Sequence, residues 1–323
     1  MINNLHVFLG ATVADAASRP LHWVYDQKKL KSYIHNKKDF TFLKKNKSPF
    51  YSIKTGYVSG YNDVGQVMFE TITLGKKNIE KRFRKNLRKH FGPGSQYWKN
   101  FKARSKYRKI KDWRGIIKGP WIHQNIIDTV RNIKIKKKVT GGNKVHESDG
   151  FCAALPFFLY KNSMKNLKQI ISIVCTSKIS IKYGLAKLYL INLALKGNKD
   201  PINLFVRKYN KSIYFKDVIK GIKLVKRLRS KPHSVTVKKL GITCRYPGTF
   251  NSSIHAIIKS KNYKSAILKT IKAGGCNCSR ANFVGSYFAA LKGLNTIPND
   301  WISKCFHSKK ILKEINQEYC KKL

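Results

Sequence analysis

Ala281, Gly285 and Ala289 recur every fourth residue within the apolar run from Arg280 to Gly293. On a helix this spacing puts small side chains on one face, so that a neighbouring helix can approach closely. Residues 5 to 18 also fit a helix, with Ala11, Ala14, Asp15 and Ser18 at three- and four-residue spacings before Pro20 stops it. Further helical stretches are expected at Val67 to Leu74, Phe151 to Tyr160, Ile254 to Lys272 and, as three or so segments, across residues 165 to 228. No run alternates apolar and polar residues between hairpin turns. The expectation is therefore an all-α fold, a single compact multi-helix domain spanning residues 1–323, and 42% hydrophobic content is enough to fill its core.

The chain carries 67 basic against 15 acidic residues, a formal net charge of +52. One reading is a polyanion partner, because Lys and Arg neutralise phosphates. The other is compositional, since Lys is scattered along the whole length and Ile, Asn, Tyr and Phe are abundant too. From Tyr97 to Lys118 basic residues interleave with Trp98, Phe101, Tyr107 and Trp113. That pattern suits stacking on bases or an amphipathic surface helix and its loop. Seven cysteines, irregularly spaced, make a poor disulfide framework. The expected setting is the reducing cytoplasm or nucleus. No membrane association is expected, because no apolar run approaches the roughly 20 residues that span a bilayer.

Polar residues concentrate in four places. Pro20 to Asp26 is dense in aromatics, follows Asp15 closely and ends on Asp26 as a helix cap. Thr55 to Gln66 is a glycine loop carrying Asp63, which reads either as a cap or as a ligand. His146-Glu147-Ser148-Asp149-Gly150 heads an apolar run, where it either binds an anion at a helix N-terminus or caps that helix through Ser148 or Asp149. Gly241 to His255 leads through a Pro-Gly turn into a helix that Thr249 or Asn251 is placed to cap. The densest stretch, Ala273-Gly274-Gly275-Cys276-Asn277-Cys278-Ser279-Arg280, holds chemistry that core packing does not require.

Taken together, several stretches resemble the ADP-ribosylglycohydrolase superfamily, and within it the crystallin-J and selenoprotein J branch. They are Gly10 to Asp26, Pro49-Phe50-Tyr51, Tyr61-Asn62-Asp63, Phe91-Gly92-Pro93-Gly94, Gly119-Pro120-Trp121, Ser148-Asp149-Gly150, Cys244 with Pro247 and Phe250, and Gly274 to Arg280, in the family's order. The resemblance implies a compact all-α domain whose active members hold two magnesium ions and cleave the N- or O-glycosidic bond of ADP-ribose. In those members an early Thr-Asp-Asp-Thr and a late Gly-Gly-Asp-x-Asp-Thr motif supply the metal ligands.

Here the early motif reads Tyr61-Asn62-Asp63-Val64, and the late one places Cys276, Cys278 and Ser279 where Asp, Asp and Thr would stand. The implied metal positions are thus Asp63, Cys276, Cys278 and Ser279, a set with one carboxylate and two soft thiols, poorly matched to magnesium. Asp15, Asp149 and Gly150 correspond to ligand-binding positions for ADP-ribose. Three functions follow: an ADP-ribose-binding homologue with weak or lost hydrolysis, a thiol redox protein using Cys276 and Cys278, or a crystallin-like structural protein.

Overall fold

The computed structural model describes residues 4–75, 77–107 and 115–320, and helices carry most of them. The first, α1 (His6–Ser18), runs through Asp15 into a 3-10 turn at Arg19–Leu21. Asp26 caps α2 (Gln27–Ile34) as expected, its carboxylate accepting from the amides of Lys28 and Lys29 at 2.8 and 3.1 Å. In α3 (Gly60–Thr73) the cap is Ser59, so Asp63 sits one turn inside the helix and is free for other partners. Next come α4 (Ile79–Phe91), α5 (Gln96–Tyr107) and α6 (Gln124–Lys134). Two short strands, β1 (Tyr51–Ser52) and β2 (Ile117–Lys118), pair in parallel with Tyr51 opposite Ile117. The interleaved stretch from Tyr97 to Lys118 is helical through Tyr107 and strand at its end; residues 108–114 lie outside the described ones.

The middle of the chain forms α7 (Asp149–Lys161), α8 (Leu167–Val174), α9 (Lys178–Leu195), α10 (Pro201–Tyr209), α11 (Lys216–Arg227) and α12 (His233–Leu240). An extra break separates α8 from α9, because the Ser177 hydroxyl accepts from the Ser180 amide and starts a new helix. The single helix expected from Ile254 to Lys272 is two, α13 (Gly248–Ile258) and α14 (Tyr263–Lys272). Asn262 divides them by accepting from the Ser265 amide at 2.9 Å, a cap that outcompetes helix continuation. Neither Thr249 nor Asn251 caps α13; both lie inside it. The chain ends with α15 (Asn277–Lys292), α16 (Asn299–Lys304) and α17 (Ser308–Cys320).

The core is organised around α15. Every residue from Asn277 to Ala290 is buried, so this helix has no solvent face and is wrapped by α1, α9, α13 and α14. Its small-residue stripe meets α1. A methyl group on Gly285 would lie 2.6 Å from the Ala14 Cβ and closer still to the Gly10 carbonyl oxygen. One on Gly10 would lie 2.6 Å from the Ala289 Cβ. The two backbones therefore touch, and the start of α15 is held rigidly against the end of α1. No described helix is long and apolar enough to cross a membrane.

Candidate functional site

The turn before α15 needs glycine twice. Gly274 and Gly275 adopt φ of 75° and 64°, the left-handed region, and a Cβ on Gly274 would lie 2.8 Å from the Val24 carbonyl oxygen. This close approach permits a bridge: the Trp23 amide donates to the Gly275 carbonyl and the Gly275 amide to the Val24 carbonyl, both at 2.8 Å. The Cys276 amide donates in turn to the Ile242 carbonyl at 3.0 Å. Three distant segments, 22–24, 242–244 and 274–276, are thereby stitched side by side. Beneath them the buried Arg280 guanidinium donates to the carbonyls of Ile242, Thr270 and Gly274, which fixes the turn from below.

Aromatic rings wall this junction. Trp23 lies edge-on to Phe50, Tyr51 and Trp121, with ring centroids 5.6, 5.6 and 5.4 Å apart. Tyr61 and His123 are 3.9 Å apart, centroid to centroid. The Arg104 guanidinium covers Trp121 at 3.9 Å. Phe50 is exposed and Trp121 half-buried, so the wall reaches the surface.

Acidic groups line the inner side. Glu147 is half-buried and accepts from the Tyr61 hydroxyl at 2.8 Å. Asp149 is fully buried; His123 Nδ1 lies 2.6 Å from one of its oxygens, and Asn125 donates to the other at 3.1 Å. Burial, reinforced by the neighbouring Asp149 charge, pushes Glu147 up to about 7. Burial opposes protonation of His123, yet the Asp149 carboxylate beside it raises the imidazole above its ordinary value.

The thiols lie across from these acids. Cys276 is buried, with its sulfur 3.4 Å from His22 Nε2 and 3.9 Å from the Tyr61 hydroxyl. His22 is oriented from behind by the Tyr51 hydroxyl, 2.9 Å from Nδ1. Burial alone would raise the Cys276 thiol, but the neighbouring Cys244 and His22 outweigh burial and hold it well below the ordinary value. Cys276 beside it, together with burial, drives Cys244 well up.

Of the expected site residues, Cys278 meets Asp15 and Ser279 meets Cys276, while Asp63 has other partners. Asp63 turns toward α4 and α5, where the Tyr97 hydroxyl donates to it at 2.6 Å and His90 Nε2 lies 2.9 Å away. It lines a separate cavity of about 560 Å³ with Lys54, Tyr57, Pro120 and His307. The Cys278 sulfur faces the Asp15 carbonyl at 3.8 Å, and the Ser279 hydroxyl donates to the Cys276 carbonyl at 3.0 Å.

Asp15 is fully buried, accepting from the Ser59 amide, the Ser59 hydroxyl and the Asn282 amide at 2.6, 2.7 and 2.6 Å. Gly150 packs against Ile171. Asp15, Asp149 and Gly150 therefore shape the site from inside, and Glu147 is the acid that reaches its surface. Ser148, named as a cap, bonds no helix amide; its hydroxyl meets Lys187 and Tyr246.

Sequence reasoning assigned no role to His22, His123 or Asn282. The first two lie in or beside matched stretches, Pro20 to Asp26 and Gly119-Pro120-Trp121, and a histidine within two residues of a tryptophan was the available signal. Asn282 carried none, because its partners lie 220 and 267 residues away.

Magnesium requires several hard oxygen donors in octahedral geometry. At the implied positions one carboxylate is engaged elsewhere and two donors are thiols, so the residues present do not fit a two-magnesium centre. Among the described residues, the one group of three or more His, Cys, Asp and Glu side chains close enough to share an ion is His123, Glu147 and Asp149, with ligand atoms within 4.8 Å of one another. An imidazole with two carboxylates suits a single borderline divalent ion better than paired magnesium.

The ADP-ribosylglycohydrolase family model matches residues 5–323. Among curated proteins, crystallin J1A of Tripedalia cystophora is 27% identical over 325 residues, covering 96% of this chain and 94% of that one. Crystallin J1B of the same organism is 24% identical over 315 residues with the same coverage. Among solved structures, an ADP-ribosylglycohydrolase-related protein complex superposes with a TM-score of 0.61 at 14% identity, covering 95% of this chain and 93% of that one.

Proposed function

Because the chain belongs to the ADP-ribosylglycohydrolase family, we propose that it binds an ADP-ribose-type ligand at the aromatic-walled junction and does not run two-magnesium hydrolysis there. One observation carries the reading: the positions that the family uses for metal are closed by the chain's own hydrogen bonds. Tyr61 is tied to Glu147, Asn62 to Asn282 and Asp63 to His90 and Tyr97. Cys276 faces His22.

What supports a ligand is the surface of the junction. The exposed Phe50 ring and the half-buried Trp121 offer aromatic surface to a nucleobase, a contact worth about 1–3 kcal/mol per base. Glu147 offers an acceptor to sugar hydroxyls. The net charge of +52 draws a diphosphate toward the molecule. Asp149 and Gly150 support the floor on which Glu147 sits. A crystallin-like structural role is the second reading, favoured by what the two Tripedalia cystophora relatives are called.

Calorimetric titration with ADP-ribose is expected to give binding whose affinity changes less than about twofold when magnesium is added. A release assay on ADP-ribosylated peptide is expected to show no magnesium-stimulated turnover. Trp121→Ala is expected to weaken binding about tenfold, the equivalent of ~1.4 kcal/mol. Magnesium-dependent release would overturn the loss of hydrolysis, and no detectable binding would favour the structural role.

A further inference from the structure

The function just proposed uses the N-terminal end of α15, and another cavity opens at its opposite end. Most of the 16-residue helix, roughly 20 Å at about 1.5 Å per residue, lies between this cavity and the Cys276 turn. It holds about 460 Å³, within the ~300–1,000 Å³ of small-molecule sites. Its floor is apolar, formed by the buried Ile202, Ile257 and Phe288. Two hydroxyls reach it without partners. Tyr287 is 3% exposed, and its hydroxyl makes no hydrogen bond among the described residues. The Ser260 hydroxyl oxygen is buried and equally unpartnered. A buried hydroxyl left unbonded costs about 1–3 kcal/mol, and the cavity is where a partner can reach both.

One wall is a linked polar chain. Asp200 accepts from the Asn203 amide at 3.0 Å and from its side chain, and the Asn203 oxygen accepts from Lys226. The rim is cationic. Lys226 and Lys292 stand in the last turns of α11 and α15, where the helix end itself favours a cation. Arg229 and Lys261 lie beyond the ends of α11 and α13, and neither has an acidic partner among the described residues. In a chain of +52 unpaired cations are common, so charge alone marks no site. Here the cations stand over a cavity that also holds two bare hydroxyls and a carboxylate, and a simple polyanion has no use for the carboxylate.

We propose that this cavity binds a phosphorylated monosaccharide, its phosphate on Arg229 and Lys261 and its hydroxyls on Asp200, Tyr287 and Ser260. The guanidinium suits a phosphate because its planar fork donates two parallel hydrogen bonds, and the ammonium adds a point charge. Sugar hydroxyls both donate and accept, so they serve the carboxylate and the two bare hydroxyls together. The C–H face of the ring covers the apolar floor. The site is independent of ADP-ribose binding at the junction.

The test is calorimetric titration of the full-length protein with glucose 6-phosphate, glucose and inorganic phosphate at fixed salt. Glucose 6-phosphate is expected to bind at one site, and glucose and phosphate each about tenfold more weakly or worse. Tyr287→Phe removes one oxygen from a ring that stays buried; it is expected to weaken glucose 6-phosphate about fivefold and leave phosphate unchanged. Arg229→Gln is expected to weaken both about tenfold. Lys45→Gln, an exposed cation elsewhere, and Trp121→Ala, at the junction, are expected to leave both affinities within about twofold. Those two controls separate this site from diffuse attraction and from the ADP-ribose site, and circular dichroism establishes that each variant is folded. Equal affinity for glucose 6-phosphate and inorganic phosphate would reduce the cavity to a phosphate patch and overturn the proposal. No binding, binding lost in Trp121→Ala, or undiminished binding in folded Tyr287→Phe and Arg229→Gln would overturn it as well.

Discussion

Lys187→Met is expected to make the protein more stable, by on the order of 4 kcal/mol near neutral pH. Lys187 is fully buried on α9. Its ammonium donates to Ser148 at 3.0 Å and sits 4.8, 4.9 and 5.4 Å from the rings of Phe151, Tyr246 and Phe283. No carboxylate among the described residues lies within ion-pair distance of it. Burial lowers Lys187 from 10.5 to about 7.

The direction of the pH effect follows. Below about pH 7 both folded and unfolded chains carry the proton, and the fold bears the full cost of a buried charge. Between about 7 and 10.5 only the unfolded chain holds it, so wild-type stability rises with pH by about 1.4 kcal/mol per unit from this group. Urea melts at pH 7 and pH 9 should therefore show the advantage of Lys187→Met shrinking by about 2–3 kcal/mol. Parallel wild-type and variant curves would refute the assignment. Methionine leaves Ser148 its second partner, the Tyr246 hydroxyl at 3.1 Å, so no polar group is orphaned by the change.

Gly285→Ala is the second large effect, and it has the opposite sign. The added methyl meets the Ala14 Cβ at 2.6 Å and the Gly10 carbonyl oxygen more closely, and both lie on a helix that cannot yield without moving. Overpacking of this kind costs about 1–3 kcal/mol when only side chains must adjust. With backbone on one side the expected loss is about 3 kcal/mol or more. The Gly10 carbonyl also accepts from the Tyr263 hydroxyl at 2.7 Å, so a displaced α1 would strain that bond too. Chemical denaturation reads the loss directly. Adding Ala14→Gly should recover only part of it, because the clash with the carbonyl persists; full recovery would place the strain between the two methyl groups alone.

The stripe at Ala281, Gly285 and Ala289 was legible because helical geometry maps a four-residue spacing onto one face, whatever lies opposite. The all-α fold was legible for the same kind of reason. Helix boundaries near Ser177 and Asn262 were not, since a single side-chain oxygen decides each cap. The place of Cys276 at the site was readable from its glycine turn. Its neighbour was not: His22 reaches it only through the bridge that joins residues 22–24 to 275. The partners of Asp63 were not legible either, because a carboxylate on the first turn of α3 points where that turn faces, toward His90 and Tyr97. Nothing in its own neighbourhood of sequence names those partners.

The buried amides beside Asp15 also bear on what this molecule can become. Gln66 donates to Asn62 at 2.8 Å, Asn62 to Asn282 at 2.7 Å, and Asn282 to Asp15 at 2.6 Å, so each link has a fixed direction. Converting Asn62 alone to Asp would set two acceptors face to face, and converting Asn282 alone would set a second carboxylate against Asp15. Each single step toward an acidic metal cradle is thus uphill, and only a concerted change with the cation already present would be downhill. The chain of amides acts as a ratchet: it makes the present arrangement hard to leave by one substitution at a time.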